Sequence, residues 1–293
     1  MLTPSQIDLY RERGYLGIEG VLSASEVREL QQVTGEFVAR SRCVTASDDV
    51  FDLEPGHTPE APRLRRIKSP AAHHPVYDRA LKHPVILDTV AQLIGPSIRY
   101  NGQKLNMKSA TFGSPVEWHQ DWAFYPHTND DLLAVGICID EMTPENGCLL
   151  VIPGSHRGRI YDHHQDGRFV GAVTEPDFDD AAAENLELGA GGISIHHVRV
   201  LHGSLPNTSA RPRRLLLFQY CAGDAWPLLG VDWDTWGRSL LRGEVCWQPR
   251  VAPVPVRLPL PPPLRTGSIY ETQTSLKEST FGRGQERVAA KKA

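Results

Sequence analysis

The stretch Trp118-His119-Gln120-Asp121-Trp122 decides how the rest of this chain is interpreted. We expect it to lie in a β-strand, where side chains two residues apart point to the same face. His119 and Asp121 would then present an imidazole and a carboxylate side by side, a pair that can share a divalent metal ion. The same letters recur in His164-Gln165-Asp166, so the spacing by itself does not decide which pair binds a metal.

The surroundings of the two copies differ. His119 and Asp121 lie between two tryptophans, in a segment with predicted strands on both sides. The second copy lies in the polar run 162–168, which is typical of a surface loop. Metal ligands are held rigidly by packing and by hydrogen bonds to their outer atoms. We therefore expect the first copy to supply the ligands.

A third ligand has three candidates downstream, His196, His197 and His202. The largely apolar run 198–201 ends at His202, which places this side chain at the end of a predicted strand. Two His and one carboxylate on one face of a metal, with open positions opposite, are typical of non-haem Fe(II) oxygenases.

Three arginines follow His202 across a predicted turn at Pro206-Asn207, namely Arg211, Arg213 and Arg214. The guanidinium group binds carboxylates bidentately. A keto acid with a second carboxylate, such as 2-oxoglutarate, could therefore bridge the metal and an arginine on the neighbouring strand.

The order of predicted elements indicates an α+β fold in which helices come first and many short strands follow. Two capped helices are expected at 4–13 and 24–40, and a third, broken near Pro84, over 75–93. Loop 42–62 and the polar insertion 160–190 have no assigned role, and loop 42–62 is interpreted either as a lid or binding loop or as a disordered surface loop. The predicted strands cover 15–18, 64–67, 98–107, 117–121, 132–139, 148–152, 193–201 and 214–221.

The composition excludes several classes of protein. A net charge of −4 argues against a nucleic-acid surface and against attraction to membranes. Five cysteines are widely spaced without a Cys-x-x-Cys pair, and we find no apolar run of membrane-spanning length. With no signal pattern at the N-terminus, we expect a cytoplasmic protein whose partner is a small molecule.

The chain resembles the phytanoyl-CoA dioxygenase family. The resemblance covers about residues 3–225 and rests on four motifs taken together. The family implies a double-stranded β-helix, or jelly roll, with N-terminal helices packed on one side. We expect one domain over 1–293, with a core at about 3–225 and a Pro-rich extension at 250–293. The motifs are Trp118–Asp121, Thr143–Cys148, Ile152–His156 and His202–Asn207 followed by Arg213.

Carried over to this sequence, the family pattern implies that His119, Asp121 and His202 bind Fe(II) and form the catalytic centre. Arg213 falls eleven residues after His202, as in the family, and is the implied anchor for the far carboxylate of 2-oxoglutarate, with Ser204 beside it.

Five further residues have weaker assignments. Asn106 lies where some relatives contact 2-oxoglutarate, and His197 is expected to support the ligands without binding the metal. Trp122, Phe124 and Tyr125 either line the substrate pocket or simply pack in the core.

The implied reaction uses Fe(II), 2-oxoglutarate and O2, releases succinate and CO2, and hydroxylates an unactivated C–H bond of a small molecule. Asp121 favours hydroxylation, because halogenating relatives lack this carboxylate. Desaturation, ring formation and acyl-CoA substrates stay open. Two further alternatives are a cupin-like metal enzyme that does not use 2-oxoglutarate and a non-catalytic member that only binds small molecules.

Overall fold

The computed structural model describes residues 1–282, so the last part of the Pro-rich extension, 283–293, lies outside the described residues. The α-helices are α1 (Pro4–Arg13), α2 (Ala24–Arg40), α3 (Pro70–His73), α4 (Pro75–Leu81), α5 (Pro84–Ile94), α6 (Trp233–Arg238) and α7 (Ile269–Gln273). The strands are β1 (Tyr15–Ile18), β2 (Phe51–Leu53), β3 (Leu64–Lys68), β4 (Ile98–Lys108), β5 (Val116–His119), β6 (Leu132–Cys138), β7 (Leu149–Val151), β8 (His164–Gln165), β9 (Arg168–Phe169), β10 (Glu184–Leu186), β11 (Ile193–His197), β12 (His202–Ser204), β13 (Arg213–Ala222) and β14 (Leu240–Arg242).

Capping residues set where the N-terminal helices begin, and a glycine ends the first of them. Thr3 caps α1 in a reciprocal capping box, and Gly14 ends the helix in the left-handed region at φ +80°. Ser23 and Glu26 form the same box at the start of α2. Both predicted helices are confirmed.

Two antiparallel sheets face each other. The larger has the order β1-β11-β6-β13-β4-β3-β2, with β14 added to β4, and the smaller has the order β10-β7-β12-β5. All seven residues of β6 are buried, because helices cover one face of its sheet and the smaller sheet covers the other. Two facing sheets with helices packed outside confirm the expected α+β jelly roll.

The apolar interior has two main parts. One lies between the outer face of the larger sheet and the helices, with Leu30, Phe37 and Ile86 among its members. The other fills the space between the sheets and includes Cys138, Val151 and Leu215. The candidate ligands lie beside this second part, where packing restricts their side chains.

Two predicted strands are shorter than expected. Strand β5 ends at His119, and Asp121 begins a 3₁₀ turn, so the expectation of His119 and Asp121 in one continuous strand is wrong. The segment 193–201 ends its strand at His197, turns over 198–201, and enters the smaller sheet as β12 at His202. This change of sheet brings His202 opposite β5 instead of leaving it on the larger sheet.

Candidate metal centre

The pairing of β5 with β12 brings the two predicted histidine ligands together. His119 and His202 are directly opposite each other in the register, and their ring centroids are 4.0 Å apart. Both side chains are buried. Side chains directly opposite in an antiparallel pair point to the same face, so both imidazoles face the larger sheet.

The 3₁₀ turn after β5 returns Asp121 to the same place. Its Oδ1 lies 3.8 Å from His119 Nε2. One potential ligand atom from each of His119, Asp121 and His202 lies within 4.8 Å of the other two, and within residues 1–282 no other group of three such side chains meets this condition.

The hydrogen bonds of the two histidines leave the correct ring nitrogens free. His119 Nδ1 donates to the Glu117 carbonyl at 2.8 Å, and His202 Nδ1 donates to the Val200 carbonyl at 2.9 Å. Each Nε2 is then the unprotonated atom, which is the form that binds a metal. Burial lowers the pKa of His119 to about 4, so this imidazole is neutral at physiological pH. Two neutral imidazoles and one carboxylate suit Fe(II).

Asp121 is held in its charged form. Burial by itself raises the pKa of a carboxyl group, but His196, Lys104 and the two histidine ligands together hold the pKa of Asp121 well below its usual range. An ionised carboxylate is the form a metal needs.

A small cavity of about 40 Å³ lies beside these three side chains. Arg213 lines it, and its Nε and Nη2 both donate to the Gly147 carbonyl, at 3.1 and 2.8 Å. This bond fixes the guanidinium group while Nη1 has no partner within residues 1–282. Ser204 and Asn106 line the same cavity, and the buried Oδ1 of Asn106 also has no partner there. Arg213, Ser204 and Asn106 are therefore brought together where a dicarboxylate could bind.

His197 does not support the ligands as expected. Successive side chains in β11 point to opposite faces, so His197 faces away from the cavity and His196 faces into it. The His197 ring packs 5.3 Å from the ring of His156, and its Nδ1 accepts a hydrogen bond from the Arg199 amide.

The three aromatic residues considered for the substrate pocket have different environments. Trp122 packs in the apolar core and its Nε1 donates to the Pro255 carbonyl, and it does not line the cavity. The 3₁₀ turn rotates this side chain away from the metal site. Phe124 contacts the His119 ring edge to face at 5.7 Å. The Tyr125 hydroxyl accepts a hydrogen bond from Gln219 Nε2 at 2.7 Å, and both burial and the charge of Asp121 raise its pKa.

The second copy of the motif has a different environment. His164 begins the short β8–β9 hairpin and bonds to Asp162 at 2.9 Å. Asp166 occupies the turn at φ +50° and pairs with Lys277 on the surface at 2.8 Å. No second histidine and carboxylate complete a ligand set around these two side chains within the described part of the chain.

Several residues of the cavity were not predicted. Lys104 and Gln219 line it from the larger sheet, and Ile269 of α7 closes it from the C-terminal segment. Lys104 could have been inferred, because it lies two residues before Asn106 on the same strand and so on the same face. Ile269 had no signal in the sequence, since only the tertiary fold brings it back to β5. There, Gln273 accepts a hydrogen bond from the Glu117 amide at 3.0 Å.

No helix within residues 1–282 is long and apolar enough to cross a membrane.

Comparison with known proteins gives a consistent result. The model of the phytanoyl-CoA dioxygenase family matches residues 10–215. A protein of Stutzerimonas stutzeri named "probable alpha-ketoglutarate-dependent hypophosphite dioxygenase" is 35% identical over 93% of this chain and 97% of its own length. The L-proline trans-4-hydroxylase of Streptomyces griseoviridis is 31% identical over 72% of this chain and 83% of its own.

Solved structures agree on the architecture. The crystal structure of EctD from S. alaskensis with bound Fe superposes with a TM-score of 0.67, at 24% identity, over 84% of this chain and 88% of that chain. At this identity the likeness concerns the fold.

Proposed function

The chain belongs to the phytanoyl-CoA dioxygenase family, and from its match to the probable hypophosphite dioxygenase we propose that its substrate is a small phosphorus oxyanion of the hypophosphite kind. The protein is an Fe(II)- and 2-oxoglutarate-dependent dioxygenase that hydroxylates a small molecule.

We assign iron binding to His119, Asp121 and His202. In support, their ligand atoms lie within 4.8 Å of one another, and hydrogen bonds at both Nδ1 atoms leave the two Nε2 atoms free. We assign the far carboxylate of 2-oxoglutarate to Arg213, whose guanidinium group is fixed by Gly147 beside the cavity. Bound Fe(II) would supply oxygen activation coupled to decarboxylation of 2-oxoglutarate.

The protein's own residues orient the reactants and exclude water. The Nδ1 bonds fix the imidazole planes, and Phe124 packs edge to face against the His119 ring. Ile269 and α7 cover the cavity, which is apolar at Val116, Leu215 and Leu217. Exclusion of water protects a reactive centre from side reactions.

The observation that carries the substrate proposal is the length of the match with the hypophosphite dioxygenase relative. A match over 93% of this chain must extend well beyond residue 215 and into α7, so it includes the segment that closes the cavity. In hypophosphite the bond that gains oxygen is a P–H bond, and the product is phosphite. Oxygen, 2-oxoglutarate and hypophosphite would give phosphite, succinate and CO2.

A second candidate is a small amino acid, favoured by the 31% identity with L-proline trans-4-hydroxylase. The experiment is to incubate the protein with Fe(II), 2-oxoglutarate and O2, with hypophosphite or L-proline in parallel. We expect hypophosphite to stimulate succinate release, with one phosphite formed per succinate by phosphorus NMR. Stimulation by L-proline and not by hypophosphite would replace the first candidate with the second. Arg213→Gln serves as a control, because its activity should recover at higher 2-oxoglutarate concentration.

A further inference from the structure

The strand register divides the cavity into two ends. Arg213 and Gln219 lie six residues apart on β13, and both line the cavity. At about 3.4 Å per residue this separation is roughly 20 Å. Under the proposed function, on which this inference rests, the Arg213 end receives 2-oxoglutarate. The Gln219 end is therefore left for the substrate.

At the Gln219 end, small residues separate long polar ones. Gln219 lies opposite Gly102 on one neighbouring strand and opposite Ala134 on the other, and Ala134 lies opposite His196. Gln219 and His196 are thus two strands apart, at about 10 Å, with only the Ala134 methyl group between them. This arrangement leaves room for a group of a few atoms between the polar side chains of Gln219 and His196.

His196 is a buried imidazole without a hydrogen bond. It is 2% exposed, and neither Nδ1 nor Nε2 has a hydrogen-bond partner within residues 1–282. The nearest acidic atom, Asp121 Oδ2, is 3.7 Å from Nε2, which is longer than a hydrogen bond. Leaving a buried polar group without a hydrogen bond is unfavourable, so its presence calls for an explanation. A ligand bound in the cavity would provide the missing partner.

Lys104, which is half-buried, also has a side chain without a polar partner. It lies opposite Leu217, between the two ends of the cavity, and its ammonium group makes no hydrogen bond or ion pair within the described residues. Two other lysines on this face are both satisfied. Lys108 donates to the carbonyls of Ser204 and Leu205, and Lys68 donates to the Asp48 carbonyl at 2.7 Å.

A balance of charges explains why Lys104 has no partner. The two positive charges of Fe(II) meet one negative charge from Asp121 and two from 2-oxoglutarate, and Arg213 cancels the remaining one. Lys104 is then the one charge in the cavity lining left uncompensated in the loaded site. A substrate with a single negative charge would neutralise it, whereas a neutral or zwitterionic substrate would leave this half-buried cation unpaired, which is unfavourable.

We propose that Lys104 and His196 form an oxyanion-binding subsite that selects a small monoanion as the substrate. The Lys104 ammonium group pairs with one substrate oxygen, and an N–H of His196 donates to the other. The Gln219 amide, fixed by its bond to Tyr125, lies beside them as a further polar contact. Two hydrogen-bond donors on different strands fix the orientation of an anion that has two oxygen atoms, and they leave its P–H bonds free.

The test measures binding before any turnover. Protein loaded with Fe(II) and 2-oxoglutarate under anaerobic conditions should show a weak visible charge-transfer band, and hypophosphite should perturb it. We expect Lys104→Met to raise the hypophosphite Kd by about 10- to 100-fold and His196→Phe by about 10-fold, because each removes a contact to a charged group. The titration of 2-oxoglutarate should change by less than about 3-fold in both variants, which also shows that the site has folded.

Two further variants sharpen the experiment. Lys104→Arg keeps the charge and should restore part of the affinity, whereas Lys68→Met removes a neighbouring lysine that does not line the cavity and should bind like the parent. Unchanged hypophosphite affinity in both Lys104→Met and His196→Phe would overturn the subsite and leave the proposed function standing. A parent protein with the band but perturbed only by L-proline would overturn the monoanion subsite and the hypophosphite proposal together. A parent without the band would overturn the assigned iron and 2-oxoglutarate site, and this inference with it.

Discussion

His119-Gln120-Asp121 and His164-Gln165-Asp166 have the same three residues in the same order, but the fold treats them differently. In the first copy both ends of the triplet converge, because a strand delivers His119 and a 3₁₀ turn returns Asp121 to within 3.8 Å of it. In the second copy a hairpin separates them, with His164 bonded to Asp162 and Asp166 to Lys277.

The difference shows that a ligand motif binds a metal only where the neighbouring strand supplies a further ligand opposite it. Strand β12 places His202 across from His119, whereas within residues 1–282 β8 pairs with β9 alone and Phe169 lies across from His164. The two copies are also physically linked. His163, the neighbour of the second copy, accepts a hydrogen bond at Nε2 from the Gln120 amide of the first copy at 2.9 Å. The second copy thus belongs to the scaffold that holds the first in place.

The largest expected effect on activity comes from a substitution in the first copy of the motif, His119-Gln120-Asp121. Asp121→Ala removes the only carboxylate of the proposed ligand set, and we expect oxygen-dependent succinate formation to fall by at least about 100-fold. Anaerobic titration with Fe(II) should show weaker metal binding in the same variant. Substrate-dependent succinate release at the parent's rate would remove Asp121 from the ligand set.

An intermediate effect concerns the hydrogen bond that joins the two copies. Burial lowers the pKa of His163 to about 3, whereas an unfolded histidine has a pKa of about 6.5. Between these values the unfolded state binds more protons, so the stability contributed above about pH 6.5 is lost as the pH falls. At about 1.4 kcal/mol per pH unit, one such histidine destabilises the protein by roughly 2 kcal/mol between pH 6.5 and 5.

We therefore expect His163→Gln to reduce the loss of unfolding free energy of the metal-free protein between pH 6.5 and 5 by up to about 2 kcal/mol. Gln keeps an acceptor for the Gln120 amide but cannot take up a proton. Urea unfolding curves at the two pH values measure this. A pH dependence identical to that of the parent would show that His163 does not titrate in this range.

The smallest effect is expected in the second copy. Asp166→Asn removes the surface ion pair with Lys277 but keeps a residue that tolerates the turn's φ of +50°. Exposed ion pairs contribute about 0–1 kcal/mol, so unfolding free energy should change by less than about 1 kcal/mol and succinate formation should stay at the parent level. A loss of iron binding in this variant would mean that the two copies are not as different as their geometry indicates.

Sequence reasoning predicted the helices well and the positions of strands approximately, but not where strands end. Capping boxes at Thr3 and Ser23 are local signals, and both helices begin after them. The ends of β5 and β11 depend on contacts between sheets, which leave no local mark, so both strands were predicted too long. For the same reason Trp122 was a candidate for the pocket although it lies in the core.

The sequence by itself determined the chemistry that this protein can perform, because ligand types, an arginine at family spacing and alternating strands are properties of residues and their local order. The tertiary structure alone decided which residues meet. It moved His202 onto the smaller sheet opposite His119, turned His196 towards the cavity and His197 away from it, and closed the cavity with Ile269. Such contacts depend on register between strands distant in sequence, and a shift of one residue would turn every side chain to the other face.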